Sequence, residues 1–279
     1  MDHPVFSFGR EDTPKVKGSY FRCKLLIFFL APVIVLVFSH RNTVAAGSGG
    51  NFFLTTYYWK PTTEGDVTVA GQTRTHSVDT RESLETSNFG GMLKGEKWNG
   101  KWGLAFELLI IALEDQSRIG GTELDTILDT SMTGFSLLWR LADRTTGGEL
   151  MHDPSTTGWV LDLEGGVRHT RADLEIEIDP GADAATSDNW VEPFAGGRVL
   201  YRPSRKWILG LRMDAGGFGI GSASDLTWNL GGGADYRLGE EKWVQVGYRM
   251  MGIKFETAGG QTGIDMQVMG PMAAIRLDF

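Results

Sequence analysis

The chain has 279 residues, enough for one large β domain or two smaller ones, and a formal net charge of −8. That acidity argues against a nucleic-acid partner, which needs a basic face. Its one cysteine, Cys23, leaves no internal disulfide. No mononucleotide loop, zinc-spaced Cys/His set or coiled-coil heptad appears, so no cofactor or metal is expected.

Residues 1–46 read as a signal peptide. Arg10, Lys15, Lys17, Arg22 and Lys24 precede an apolar run from Leu25 to Phe38, and Val44-Ala45-Ala46 offers a small-residue cleavage site. The alternative is an anchoring helix, but the run falls short of the ~20 residues a spanning helix needs, and Pro32 interrupts it. Cys23 lies before the apolar run, which argues against a lipoprotein signal. Removal of this leader takes away more base than acid, so the mature chain, 47–279, is more acidic still.

Alternating runs then predict strands near 51–59, 89–97, 102–115, 131–141, 158–172, 189–201, 206–217, 225–238, 243–257 and 264–279. Asn99-Gly100 and the turns at 203–205 and 239–242 predict tight hairpins. Longer, acidic connections are expected at 60–88, 116–130 and 173–188. The region 142–157 falls on the short-turn side although it is long, and 131–172 is hard to pair, which leaves eight strands as the alternative to ten. Asp79-Thr-Arg-Glu82 has the form of a capping box and predicts a short surface helix through Ser87.

The last hairpin shows the orientation. Val244, Val246, Tyr248 and Met250 share one face, and Gln245, Gly247 and Arg249 the other. Ala273, Ile275, Leu277 and Phe279 are apolar to the last residue, opposite Ala274, Arg276 and Asp278. An apolar face against a charged one indicates lipid outside and a polar bore inside. The 38 glycines, about twice the usual ~7%, suit such an interior. Trp102, Trp159, Trp207 and Trp243 recur where turns enter strands, and with Phe279 they predict an aromatic girdle at one end. Trp59, Trp190 and Trp228 are expected to ring the other. The alternative is that Trp simply fills a core.

The face opposite the tryptophans holds Lys94, Arg140, Arg168, Arg198, Arg212, Arg237, Arg249 and Arg276. It also holds Glu96, Glu107, Asp162, Glu164, Glu192, Asp214, Asp235 and Asp278. A balanced set in so small a barrel is expected to knit into a network filling the bore.

Several stretches resemble a family. They are Tyr57-Tyr-Trp-Lys-Pro61, Gly65-Asp-Val-Thr-Val69, Asn88-Phe-Gly-Gly91 and Lys101-Trp-Gly-Leu104. Asp188-Asn-Trp-Val-Glu-Pro-Phe194, Asp214-Ala-Gly-Gly-Phe-Gly219, Gly247-Tyr-Arg249 and Leu277-Asp-Phe279 complete the set. Across about 51–279 the chain resembles outer-membrane β-barrel proteins of proteobacteria, of the small OmpA-like or porin-like type. The resemblance implies a structural class and no chemistry. It also implies that Phe279 is the signal presented to the barrel-assembly machinery.

His76, His152 and His169 are the histidines of the mature chain, and none has a serine beside it in a strand. Asp173, Glu175, Glu177 and Asp179, with Asp183 and Asp188, suggest either a cation site or a solvated loop base. The sequence therefore predicts an all-β, antiparallel, up-and-down transmembrane β-barrel of about ten strands in a Gram-negative outer membrane, in contact with its lipids and lipopolysaccharide. Its expected role is structural or that of a low-conductance, porin-like path, and not enzymatic. The alternatives are a lipid-modifying barrel enzyme and a secreted lipocalin-like barrel.

Overall fold

The computed structural model describes residues 52–69, 72–78, 88–119, 122–146, 156–179, 184–220, 225–256 and 262–279. The expectations for the leader, the 79–87 helix and His152 lie outside them. The strands are β1 (Phe52–Trp59), β2 (Thr62–Val69), β3 (Gln72–Val78), β4 (Phe89–Asn99), β5 (Trp102–Ile119) and β6 (Thr122–Thr146). They continue as β7 (Thr157–Asp179), β8 (Ala184–Ser204), β9 (Trp207–Gly217), β10 (Leu226–Arg237), β11 (Lys242–Glu256) and β12 (Thr262–Asp278).

Each strand of the series β4 to β12 pairs with the next, and β1 pairs with both β4 and β12, all antiparallel. The result is a closed barrel of ten strands. The hairpin β2–β3 stands outside the ring, pairing with Thr262–Met269 of β12 beyond the stretch that pairs with β1. Closure leaves the ring no edge strand. The two ends of the described barrel meet at the seam: the Phe279 amide donates to the Phe52 carbonyl at 2.9 Å, and their rings lie 5.8 Å apart.

The connections expected to be long are in large part strand. β5 runs on to Ile119, β6 starts at Thr122, β7 reaches Asp179 and β8 begins at Ala184. Within 60–88 stand β2 and β3, so His76 lies in a strand next to Ser77 and not in the expected connection. The acidic composition of these stretches masked a period-2 alternation, clearest in Leu174-Glu-Ile-Glu-Ile-Asp179, that carries the ladder past the membrane-sized part of the barrel. The 142–157 stretch likewise shortens, because β6 continues to Thr146 past a register shift between Arg140 and Ala142.

The outer surface is apolar over a band of limited height. On β5 the outward residues are Trp102, Leu104, Phe106, Leu108, Ile110 and Ala112, and the first charge is Glu114. On β7 they run from Trp159 to Val167 and then give way to His169, Arg171 and Asp173. A tilted strand crosses a bilayer in about 9–11 residues, which is the height of this band. Below it, at the turn end, Trp102 stacks on Trp139 across β5–β6 with centroids 6.1 Å apart, and Trp207 meets Tyr236 across β9–β10 at 4.9 Å.

Several glycines face an aromatic ring on the neighbouring strand. Trp59 lies opposite Gly90, Trp98 opposite Gly103, Phe106 opposite Gly95 and Trp228 opposite Gly252. A Cβ at any of the four glycines would fall within 3.0 Å of the ring. Each ring therefore lies down across the strand where a side chain is missing, which covers backbone that glycine would otherwise leave bare.

Candidate functional site

Among the described residues, most of the buried charge is gathered in the bore. Inward positions alternate with the outer band, and seven of the ten ring strands deliver one to three charged side chains each to the middle of the barrel. Lys94 and Glu96 come from β4 and Glu107 from β5. Arg140 comes from β6, Asp162, Glu164 and Arg168 from β7, Glu192 and Arg198 from β8, Arg212 and Asp214 from β9, and Arg249 from β11. All are buried except Glu107 and Arg212, which are partly accessible from within the bore.

These groups form bridges across the bore. Glu96 accepts from Lys94 Nζ at 2.8 Å and from Arg198 Nη1 at 2.7 Å. Arg198 Nε also donates to Asp162 at 3.0 Å, and Asp162 accepts from Arg140 Nε at 2.9 Å. Arg212 donates to Glu164 at 3.0 Å and to Glu107 at 2.7 Å. Arg168 joins Glu192 at 2.8 Å to Asp214 at 3.1 Å. Arg249 reaches Glu107 at 3.4 Å and the Asn229 side-chain oxygen at 2.8 Å. Desolvated charges persist only when paired and hydrogen-bonded in this way.

The remaining expected members stand apart from this lattice. Arg276 bridges Asp235 and Asp278, each at 2.9 Å, nearer the turn end. Arg237 is half-buried there too; it donates to the Glu240 carbonyl at 2.9 Å and lies over the Trp243 ring.

Three expectations are corrected. Trp243 is not part of the outer girdle: it is 1% exposed, and its indole donates to Asp278 at 2.9 Å. It shares the parity of Gln245 and Arg249, so alternation sends it inward. Trp59 and Trp190 also point inward, at 2% and 4% exposure, and Trp190 donates to Glu192. Trp102, Trp159, Trp207 and Phe279 are on the outside.

The third correction concerns what fills the bore. Charge crowds its middle, while apolar clusters pack at both ends, the lower one against the buried Arg202, Arg276 and Asp278. At the loop end Trp59, Met92, Leu109, Ile111, Leu113, Leu128, Met132, Met251, Met266 and Val268 pack together. At the turn end Phe53, Trp98, Ala105, Leu138, Val160, Ile208 and Trp243 do so. Guanidiniums lie over the rings of this lower cluster, Arg140 over Trp98 and Arg276 over Trp243, each at 4.6 Å. Attending only to charged positions on the inward face hides these layers.

Other inward residues escaped the sequence reading. Arg202 is 1% exposed and lies over Trp243 at 5.1 Å; it has the same parity as Arg198, which would have placed it. Ser136 donates to Glu164, Thr227 to Glu192 and Asn229 to Asp214. No charge marks them, and only parity could have found them. His169 is exposed on the outer face of β7. Among the described residues, no three or more His, Cys, Asp or Glu are grouped to hold a metal ion.

No protein-family model matches this chain, and no curated protein does. Among solved structures, it is similar to the attachment invasion locus protein Ail of Yersinia pestis, with a heparin analogue bound, at 11% identity over 83% of this chain and 99% of that one, TM-score 0.38. It is also similar to the outer membrane protease OmpT of Escherichia coli, at 10% identity over 86% and 99%, TM-score 0.47. Neisserial surface protein A follows at 10% over 82% and 97%, TM-score 0.34. At these levels of likeness nothing of those proteins' activities transfers to this chain.

Proposed function

We propose that this chain is an integral β-barrel of a Gram-negative outer membrane, exported through a cleaved leader and assembled by way of its C-terminal Phe279. Its bore is closed at rest, so its role is structural, in contact with outer-membrane lipid and lipopolysaccharide, and the reading assigns it no reaction. The observation that carries this is the sequence of layers inside: a cross-braced ionic lattice held between two apolar clusters. Ions would have to cross two desolvated zones to pass. The outer apolar band supports residence in a bilayer, and it is the inverse of the polar exterior that a secreted lipocalin-like barrel needs.

A planar-bilayer recording of the purified barrel tests the reading. The expected result is a silent bilayer, and a large steady conductance would overturn it. A second reading, a narrow low-conductance path, is favoured by one observation: a cavity beside the glycines of β9 and β10, bordered by Arg198, Arg212 and Arg249. Small, infrequent openings in the same recording would select it.

A further inference from the structure

A cavity of about 120 Å³ lies in mid-barrel against the wall made by β9, β10 and β11. Some 10–15 Å³ of such space is enough for one water, so this chamber has room for a small solute. Glycine makes the room: Gly210, Gly231 and Gly233 line it, and a Cβ at Gly231 would meet nothing nearer than 4.0 Å.

The lining is rich in donors. Arg198, Arg212 and Arg249 border the chamber, whereas four of the five carboxylates that pair with them, Glu96, Asp162, Glu107 and Glu164, do not. Asp214 is the one carboxylate on the lining, and its Oδ1 already accepts from Arg168 and Asn229. Tyr57 and Gln245 also face the chamber, and neither side chain has a hydrogen-bond partner among the described residues. A hydroxyl and an amide thus stand beside guanidinium edges, with Met92, Leu200 and Met272 on the rest of the wall.

We propose that this chamber binds a small monovalent anion, of the size of formate or bromide, held by the Tyr57 hydroxyl and the Gln245 amide beside Arg249. A compact acceptor satisfies the two uncommitted donors, and the adjoining guanidiniums stabilise its charge. The site goes beyond the structural role and stands whether or not the bore conducts.

The test is thermal unfolding of the purified barrel in detergent, with formate titrated at constant ionic strength against gluconate, which is too large for the chamber. Formate should raise Tm in a saturable way and gluconate should not. Gly231→Leu fills the chamber and should abolish the rise, with heat-modifiable gel mobility confirming that the barrel folds. If that variant does not fold, Gly231→Ala should instead raise the half-saturating concentration. Tyr57→Phe, which removes one hydrogen bond, should raise it about tenfold. An equal rise with gluconate, no rise with formate, or unchanged titrations in the Gly231 and Tyr57 variants would overturn the proposal.

Discussion

Arg198 on β8 and Glu96 on β4 meet across the bore, the guanidinium reaching both carboxylate oxygens at 2.7 and 2.9 Å although four strand positions separate them around the ring. A bridge between neighbouring strands would only reinforce the ladder. This one ties opposite walls, as do Arg212–Glu107 from β9 to β5 and Arg249–Glu107 from β11 to β5. The lattice therefore fixes the cross-section of the barrel, which the backbone hydrogen bonds alone leave free to flatten.

Arg198→Met leaves Glu96 with Lys94 and Asp162 with Arg140, in a space without bulk water. Removing one partner of a buried pair costs on the order of 3–5 kcal/mol. The double variant Glu96→Gln/Arg198→Met should cost less than the two single changes together, because neither charge is then stranded. Urea unfolding of the three variants in the same detergent measures this. Strictly additive costs would show that the cross-brace is not a coupled pair.

Eight of the nine tryptophans divide into two optical populations, with Trp228 half-buried between them. Trp102, Trp139, Trp159 and Trp207 are at least 39% exposed on the outer face, whereas Trp59, Trp98, Trp190 and Trp243 are at most 4% exposed. Brominated acyl chains should quench the first set and spare the second. Trp243→Phe should leave the quenched fraction of intensity almost intact while destabilising the barrel by about 1–3 kcal/mol, since Asp278 loses a buried donor. Loss of most quenching in that single variant would place Trp243 at the lipid after all.

The strand count and the outward face were legible because alternation holds along most of β5 to β12, apart from the register shifts after Arg140 and Tyr201, and because aromatic residues recur at one end. The error over Trp243 arose where two rules disagreed: its place after a turn suggested a girdle, while its parity with Arg249 said otherwise. Parity wins, since a strand cannot turn one side chain over without a bulge. The partners of Arg198 and Arg212 were not legible at all. Which carboxylate lies opposite depends on the stagger of the whole ring, a property of ten registers together.

The aromatic–glycine pairs make a steric prediction. In Gly103→Ala the new methyl would fall 2.8 Å from the Trp98 indole, whose Nε1 donates to Glu96 at 3.1 Å. To make room the ring must swing away, which breaks that bond and disturbs the Arg140 guanidinium above it. A loss of about 1–3 kcal/mol is expected from overpacking. Gly91→Ala, on the neighbouring strand with nothing within 4 Å of its Cβ, serves as the control and should be nearly neutral. Equal effects would mean that backbone freedom, and not the ring, decides the cost.

Closure by layers in series makes a prediction about opening. Resistances in series add, so the tightest zone governs the current, and thinning one apolar cluster leaves the other in place. Leu138→Ser/Val160→Ser loosens only the turn-end layer, where both residues are fully buried. Leu109→Ser/Ile111→Ser loosens only the loop-end layer. Each pair should leave a planar bilayer nearly silent, whereas all four changes together should give discrete openings carried through the ionic middle. Those openings should shrink when Gly231→Leu is added, because that change narrows the glycine-lined cavity in their path. A pair at one end that conducted as well as the quadruple variant would mean that the other layer is no barrier, and that the bore is closed at a single gate.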